Sequence, residues 1–269
     1  MAASCARSCS VAAPTADFDA TLERVAALDE TALAQRWLYR DKPMDVRYAL
    51  FRTLEDAQEA HVRVAAAPHP EARRILSLAQ RAFGDLRALL AGVPADLLDQ
   101  TPREGEWSLR DTLRHVLNVE RRYGLQTKYA VERRDADPMR ISDDRLPTPA
   151  QIDVTGGTRE ILERIAAART ESNHWLGDVA PAAMTRPTVW VHYEIDVRFR
   201  LHRFAAHLIE HTIQCEKTLA ALGWRPTEGC RIARQLAALL GAIEGLGGIT
   251  EARDIEHRLA ERLASPPAA

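Results

Sequence analysis

Residues 203 to 223 read RFAAHLIEHTIQCEKTLAALG and carry His207 and His211 four positions apart. The stretch reads as one amphipathic helix that starts at Asp196 or Val197. Gly223 ends it as the residue after the cap, and Pro226 supports the stop. In a helix, residues four apart stack on one face, with Cβ atoms roughly 5–6 Å apart. Two imidazoles so placed can reach one ion at metal–nitrogen distances of about 2.0–2.1 Å. Such pairs also arise by chance, and a histidine with an ordinary hydrogen-bond partner is the plainer reading. Leu201, Leu208, Ile209, Thr212 and Leu219 place an apolar stripe beside the pair. Burying two imidazoles there without a partner would cost roughly several kcal/mol, and a metal would satisfy both.

An ion needs at least a third ligand. His115 stands between Leu113, Val116 and Leu117 on an upstream helix, 92 residues before His207 (207 − 115 = 92). That is no local motif, but facing helices of a bundle can bring such positions together. Three histidines would leave open positions for water and substrate, the mark of a catalytic rather than a structural site.

Helical periodicity dominates the chain, so the fold class expected is all-α. Helices are expected over 17–28, from Asp29 through Trp37 to Arg40, and from Asp45 to Ala66, with Asp41-Lys42-Pro43 as the break. Further helices follow over 71–91 and from Ser108 to about Val131, where Asp111 stands in a capping-box position. Residues 135–158, rich in Asp, Pro, Gly and Thr, read as a long loop over the site, and 159–178 as a helix. Pro187 to Asp196 is the best extended piece, and 230–243 and 251–263 are two last helices. Four long helices with one long crossover suggest an up-down bundle with its ligands in the core. The expected organisation is a tail and helical extension over 1–66, a metal-binding bundle over 67–226 and a C-terminal helical extension over 227–269. A faint internal echo joins Val46–Leu54 to Leu109–Leu117, with Arg52 at the place of His115. Generic helical patterning explains it equally well.

The chain has 269 residues, 46% hydrophobic and 28% charged, with net charge −2. That describes a globular protein with no basic field for nucleic acid. No apolar run approaches the roughly 18 residues of a membrane span. The N-terminal MAASCARSCSVAAPTADFDA lacks the apolar core of a signal peptide. Cys5 and Cys9 lie in this tail, Cys215 and Cys230 in helical context, and four cysteines in so long a chain make no disulfide framework. A cytoplasmic protein with no membrane or nucleic-acid partner is expected.

The helix opening Trp107-Ser108-Leu109-Arg110-Asp111-Thr112-Leu113-Arg114-His115 and the string His207-Leu-Ile-Glu-His211-Thr-Ile-Gln214 together resemble the DinB-like (DinB/YfiT) superfamily of metal-dependent four-helix bundles. The resemblance covers about residues 71–224 and leaves extra helices at both ends. It implies that His115, His207 and His211 form a three-histidine site for a divalent ion such as zinc, nickel or iron. It further implies a homodimer and a small-molecule substrate. Characterised relatives include thiol-dependent S-transferases, a mycothiol-dependent isomerase and parts of ergothioneine synthases. The function implied is therefore a thiol-dependent transferase, or a related hydrolase, with a low-molecular-weight thiol as cosubstrate. The alternative is a binding or interaction protein without catalysis.

The same residues carry rival readings. His207-Leu-Ile-Glu-His211 is also the His-x-x-Glu-His string of inverted zinc peptidases, in which Glu210 would be the general base. Only 58 residues follow His211 (269 − 211 = 58), which leaves little room for that fold. One step from His211, Glu210 points about 100° away, to solvent or as an outer acceptor. Arg203 is a candidate for gripping a substrate carboxylate, or for a salt bridge with Glu194 or Asp196. Gln214 lines the pocket by resemblance, or is an exposed polar residue. Cys215 shares the ligand face with His211 and reads either as a fourth ligand or as small core filling. Trp107, Trp190 and Tyr193 either wall the pocket or simply pack.

Overall fold

The computed structural model describes residues 17–264. It is helical throughout apart from two small β-hairpins, as the periodicity predicts. At the N-terminal end, α1 (Phe18–Ala26) and α2 (Glu30–Leu33) are followed by the hairpin β1 (Arg36–Tyr39) and β2 (Lys42–Asp45), then α3 (Val46–Ala65). The helix expected from Asp29 to Arg40 therefore stops after one turn. Trp37 and Tyr39 stack with ring centroids 6.0 Å apart, and Tyr48 meets Tyr39 edge-on at 5.5 Å. Aromatic residues so spaced favour a pleated ribbon. Arg40 and Asp41 turn the chain with φ of 49° and 62°, outside any helix. Leu33, Trp37 and Arg40 have helical spacing, which is why the pattern misleads.

The central bundle is α4 (Glu71–Ala91), α5 (Leu109–Glu132), α6 (Thr158–Leu176) and α7 (Val197–Ala221). Ser108 starts α5 with the expected capping box. The Asp111 amide donates to Ser108 Oγ at 3.1 Å, and the Ser108 amide donates to Asp111 Oδ2 at 3.3 Å. The extended piece before α7 is a hairpin, β3 (Pro187–Trp190) and β4 (Tyr193–Asp196). The core gathers Phe83, Leu86, Leu113, Leu117, Ile165, Phe204 and Leu208. At its centre Arg169 of α6 is fully buried. It donates to Glu120 of α5 at 2.8 Å, to Asn173 Oδ1 at 2.8 Å and to the Leu76 carbonyl of α4 at 3.5 Å. Its guanidinium also lies 5.4 Å from the Phe204 ring centre of α7. One side chain thus touches all four helices.

A second core combines both ends of the described chain. Leu22, Leu33, Leu50 and Ala57 pack with Leu236, Leu240, Ile255 and Leu259 of α8 (Glu228–Gly245) and α9 (Ile249–Ala264). The two cores meet where α4 and α8 touch through glycine. A side chain at Gly84 would overlap the Ala237 carbonyl, and one at Gly241 the Gln80 carbonyl, so neither position accepts a Cβ.

The internal echo also changes partner. The hairpin and Asp45-Val46-Arg47-Tyr48-x-Leu50-x-Arg52 correspond to the second hairpin and Asp196-Val197-Arg198-Phe199-x-Leu201-x-Arg203. Asp45 accepts from the Tyr48 amide and Asp196 from the Phe199 amide, each at 2.7 Å. Arg52 therefore matches Arg203 on α7, not His115 on α5. Helical patterning alone allowed the wrong alignment; the preceding hairpin identifies the right one.

Replacing Glu120 by Ala leaves Arg169 charged and dry, and removing one partner of a buried pair costs about 3–5 kcal/mol. Urea unfolding of Glu120→Ala should show a loss of that size, and a loss under about 1 kcal/mol would contradict the role assigned to the pair.

Candidate metal centre

His115 projects from the second turn of α5, and His207 and His211 from the middle of α7. The bundle brings all three to one point. One ligand atom from each lies within 4.8 Å of the others. The Nε2 atoms of His115 and His207 are 3.1 Å apart. Nitrogens held about 2.0–2.1 Å from one ion at octahedral to tetrahedral angles stand roughly 2.9–3.4 Å apart, so this spacing suits a shared cation. Among the described residues, no other group of three or more His, Cys, Asp or Glu side chains is gathered closely enough to hold an ion.

Electrostatics favour the neutral ring at His207 and at His115. Burial pushes His207 down to about 3, and the charges of His211, His115 and Arg203 act in the same direction. His115 is also lowered, first by burial and then by His211, against an opposing pull from Glu210. Neutral imidazoles offer the lone pairs that ligation needs. His211 Nδ1 lies 2.8 Å from Gln214 Oε1. An amide oxygen only accepts, so the Nδ1 proton sits in that bond and the Nε2 lone pair faces the cluster. Trp107 covers His115 with ring centres 5.2 Å apart, and Tyr123 meets His207 edge-on at 5.8 Å. The donor set fits a borderline divalent ion with open positions.

A cavity of about 560 Å³ reaches the cluster at His211, with Pro102, Arg103, Trp107, Gln214 and Lys217 in its wall. The segment bordering it is thus 102–107, not the expected loop 135–158. Residues 139–141 of that loop instead line a second cavity of about 340 Å³, between Tyr123 and the β3–β4 hairpin. Arg200 lies in this second wall, 1% exposed. It donates to Gln126 Oε1 at 2.6 Å and to the Val189 carbonyl, and its Nε has no partner. Burial drives its guanidinium down to about 10, with Tyr123 opposing the shift and Arg140 adding to it. No acidic side chain lines this cavity, whereas Arg122 and Arg140 do.

The remaining candidates divide. Gln214 serves His211 directly. Arg203 pairs with Glu210 at 3.8 Å, rather than with Glu194 or Asp196, and lies 4.8 Å from the Trp190 ring centre. Glu210 points outward, 63% exposed, and is not aimed at the cluster as a peptidase base would be. Cys215 is fully buried core, and burial pushes its thiol up to about 12. Trp190 donates to the Tyr123 hydroxyl at 3.3 Å, whereas Tyr193 is 66% exposed. Cys5 and Cys9 lie outside the described residues. Arg200, Gln126, Arg122 and Arg140 escaped the sequence reading. Arg200 had a usable signal: it precedes His207 by seven residues, two helical turns, and so shares its face.

The fold and the cluster define a helical-bundle protein whose core gathers three histidines from two helices. Residues 78–215, about half of the chain, match the family model of the DinB superfamily, and the chain belongs to that superfamily. No curated protein matches it. No helix among the described residues is long and apolar enough to cross a membrane.

Losing an outer hydrogen bond to a ligating histidine typically weakens metal binding about 10–100-fold. Gln214→Leu should show such a loss in chelator competition with zinc or nickel, while wild-type affinity in the variant would remove Gln214 from the site.

Proposed function

We propose that this protein is a metal-dependent enzyme that activates a small thiol for attack on an electrophile. The observation that carries the reading is the convergence of three imidazoles, those of His115, His207 and His211, beside an open cavity. His115, His207 and His211 would hold a divalent ion, which when bound would supply the positive charge that acidifies a thiol. Gln214 holds the His211 tautomer. Trp107 packs over His115 and Tyr123 meets His207 edge-on, so the two rings are held in place from both sides.

Two further observations support the reagents. Cys215 and Cys230 are both buried, with thiols pushed up to about 12 and about 11, so neither supplies a thiolate near neutral pH. On this reading the nucleophile is a small thiol from solution rather than either of these cysteines. Arg200 is a buried cation without a carboxylate, beside Arg122 and Arg140 in the second cavity. That arrangement suits an anionic group on the electrophile, held by charge-assisted hydrogen bonds. Tyr123 is common to the two places, packing on His207 and lining the cavity of Arg200.

Elemental analysis of the purified protein, followed by thiol-dependent consumption of electrophiles, tests the proposal. His207→Ala should lose both the metal and the turnover; a variant holding as much metal as wild type would end the ligand assignment. Tight metal binding with no turnover on any thiol would favour the alternative, a binding module that keeps the bundle without catalysis. A hydrogen bond to a charged group contributes about 1.5–3 kcal/mol. Arg200→Met should therefore raise KM for an anionic electrophile about tenfold or more, with little change for a neutral one. Equal KM values for both would remove the anion subsite.

A further inference from the structure

The matching hairpins belong to a longer correspondence. At a constant offset of 151 residues (196 − 45 = 151), the segment from α1 through α3 repeats the segment from α6 through α7. Thr21 matches Ser172, Val25 matches Leu176 and Leu33 matches Met184, and all six are buried. Arg40 and Val191, also 151 apart, both turn their hairpins with positive φ, of 49° and 55°. At an offset of 157 (228 − 71 = 157), α8 repeats α4. Glu71 opens α4 and pairs with Arg198 of α7 at 2.6 Å; Glu228 opens α8 and pairs with Arg47 of α3 at 2.6 Å.

The seam between the halves obeys the same arithmetic. Gly84 meets the Ala237 backbone, and Gly241 meets the Gln80 backbone. Gly84 and Gly241 are 157 apart, and so are Gln80 and Ala237. Each contact therefore has a mate with the partners exchanged, which is the signature of a two-fold interface. Here both sides of it belong to one chain.

The second half does not carry the α7 histidines. The counterpart of His207 is Asp56 (207 − 151 = 56), and that of His211 is Ala60. Where His207 faces His115 of α5, Asp56 faces Arg262 of α9 at 2.7 Å. An ion pair thus stands on the face of α3 that corresponds to the histidine face of α7.

We infer that residues 17–65 and 228–264 form a second, ligand-free copy of the bundle, built from both ends of the chain. This copy takes the place of a partner subunit, so the protein works as a monomer with one metal centre. The clause on the metal rests on the function proposed above; the clause on the partner does not.

Sedimentation equilibrium of the full chain over a hundredfold range of concentration tests the partner clause. The expected mass is that of one chain, 30.0 kDa, at every concentration. A stable species of twice that mass would overturn it. Zinc or nickel content per chain, measured alongside on wild type and Asp56→Asn, should be one in both. Two ions per wild-type chain, one of them lost in Asp56→Asn, would overturn the ligand-free assignment. A chain that holds no metal but sediments at 30.0 kDa would remove the metal reading alone and leave the inference of a built-in partner standing.

Discussion

The Arg169 guanidinium is the constraint on which the centre depends. Three rings from two helices can share one point only if those helices keep a fixed register. Apolar burial is non-directional, so it fixes register less sharply than a buried polar contact does. A buried cation that must reach Glu120, Asn173 and the Leu76 carbonyl together permits one arrangement of α4, α5 and α6. Phe204, whose ring it faces, lies one turn before His207 on α7. The imidazoles therefore inherit a geometry set one layer away.

Charge is distributed unevenly around the bundle. Arg169 is buried with a carboxylate, Arg200 without one. Their environments are otherwise comparable in dryness, so the difference lies in the counter-ion. A buried guanidinium without a carboxylate partner is costly, and such groups concentrate at binding sites. The histidine cluster is the complementary exception: three ring nitrogens from two helices gathered at one point with no acidic side chain in the group.

The duplicated half explains why the ends of the chain fold at all. Four helices, α1, α3, α8 and α9, would make a poor core if each were an independent appendage. Assembled as a second bundle they bury Leu22, Leu50, Leu236 and Leu259 together. The Arg24 guanidinium of α1 donates to the Leu263 carbonyl at 3.2 Å, so the two described ends lie side by side. Asp56 and Arg262 keep the old ligand face polar but closed.

The sequence by itself determined the helices of the bundle, the cap of α5 and the histidine pair on one face of α7. Those follow from local rules: spacing of apolar residues, Ser108 with Asp111 three residues later, and His207 and His211 one turn apart. The hairpin at Arg36–Asp45 was hidden, because Leu33, Trp37 and Arg40 imitate a helical face while aromatic cross-strand packing decides otherwise. Only the tertiary structure decided that His115 meets the pair, that Gln214 holds a tautomer and that Arg200 lacks an acid. Each is a relation between residues distant in the chain or dependent on burial, and no local pattern encodes it. The same holds for the joining of residues 17–65 to 228–264, since two segments at opposite ends of a chain become one body only through the core they share.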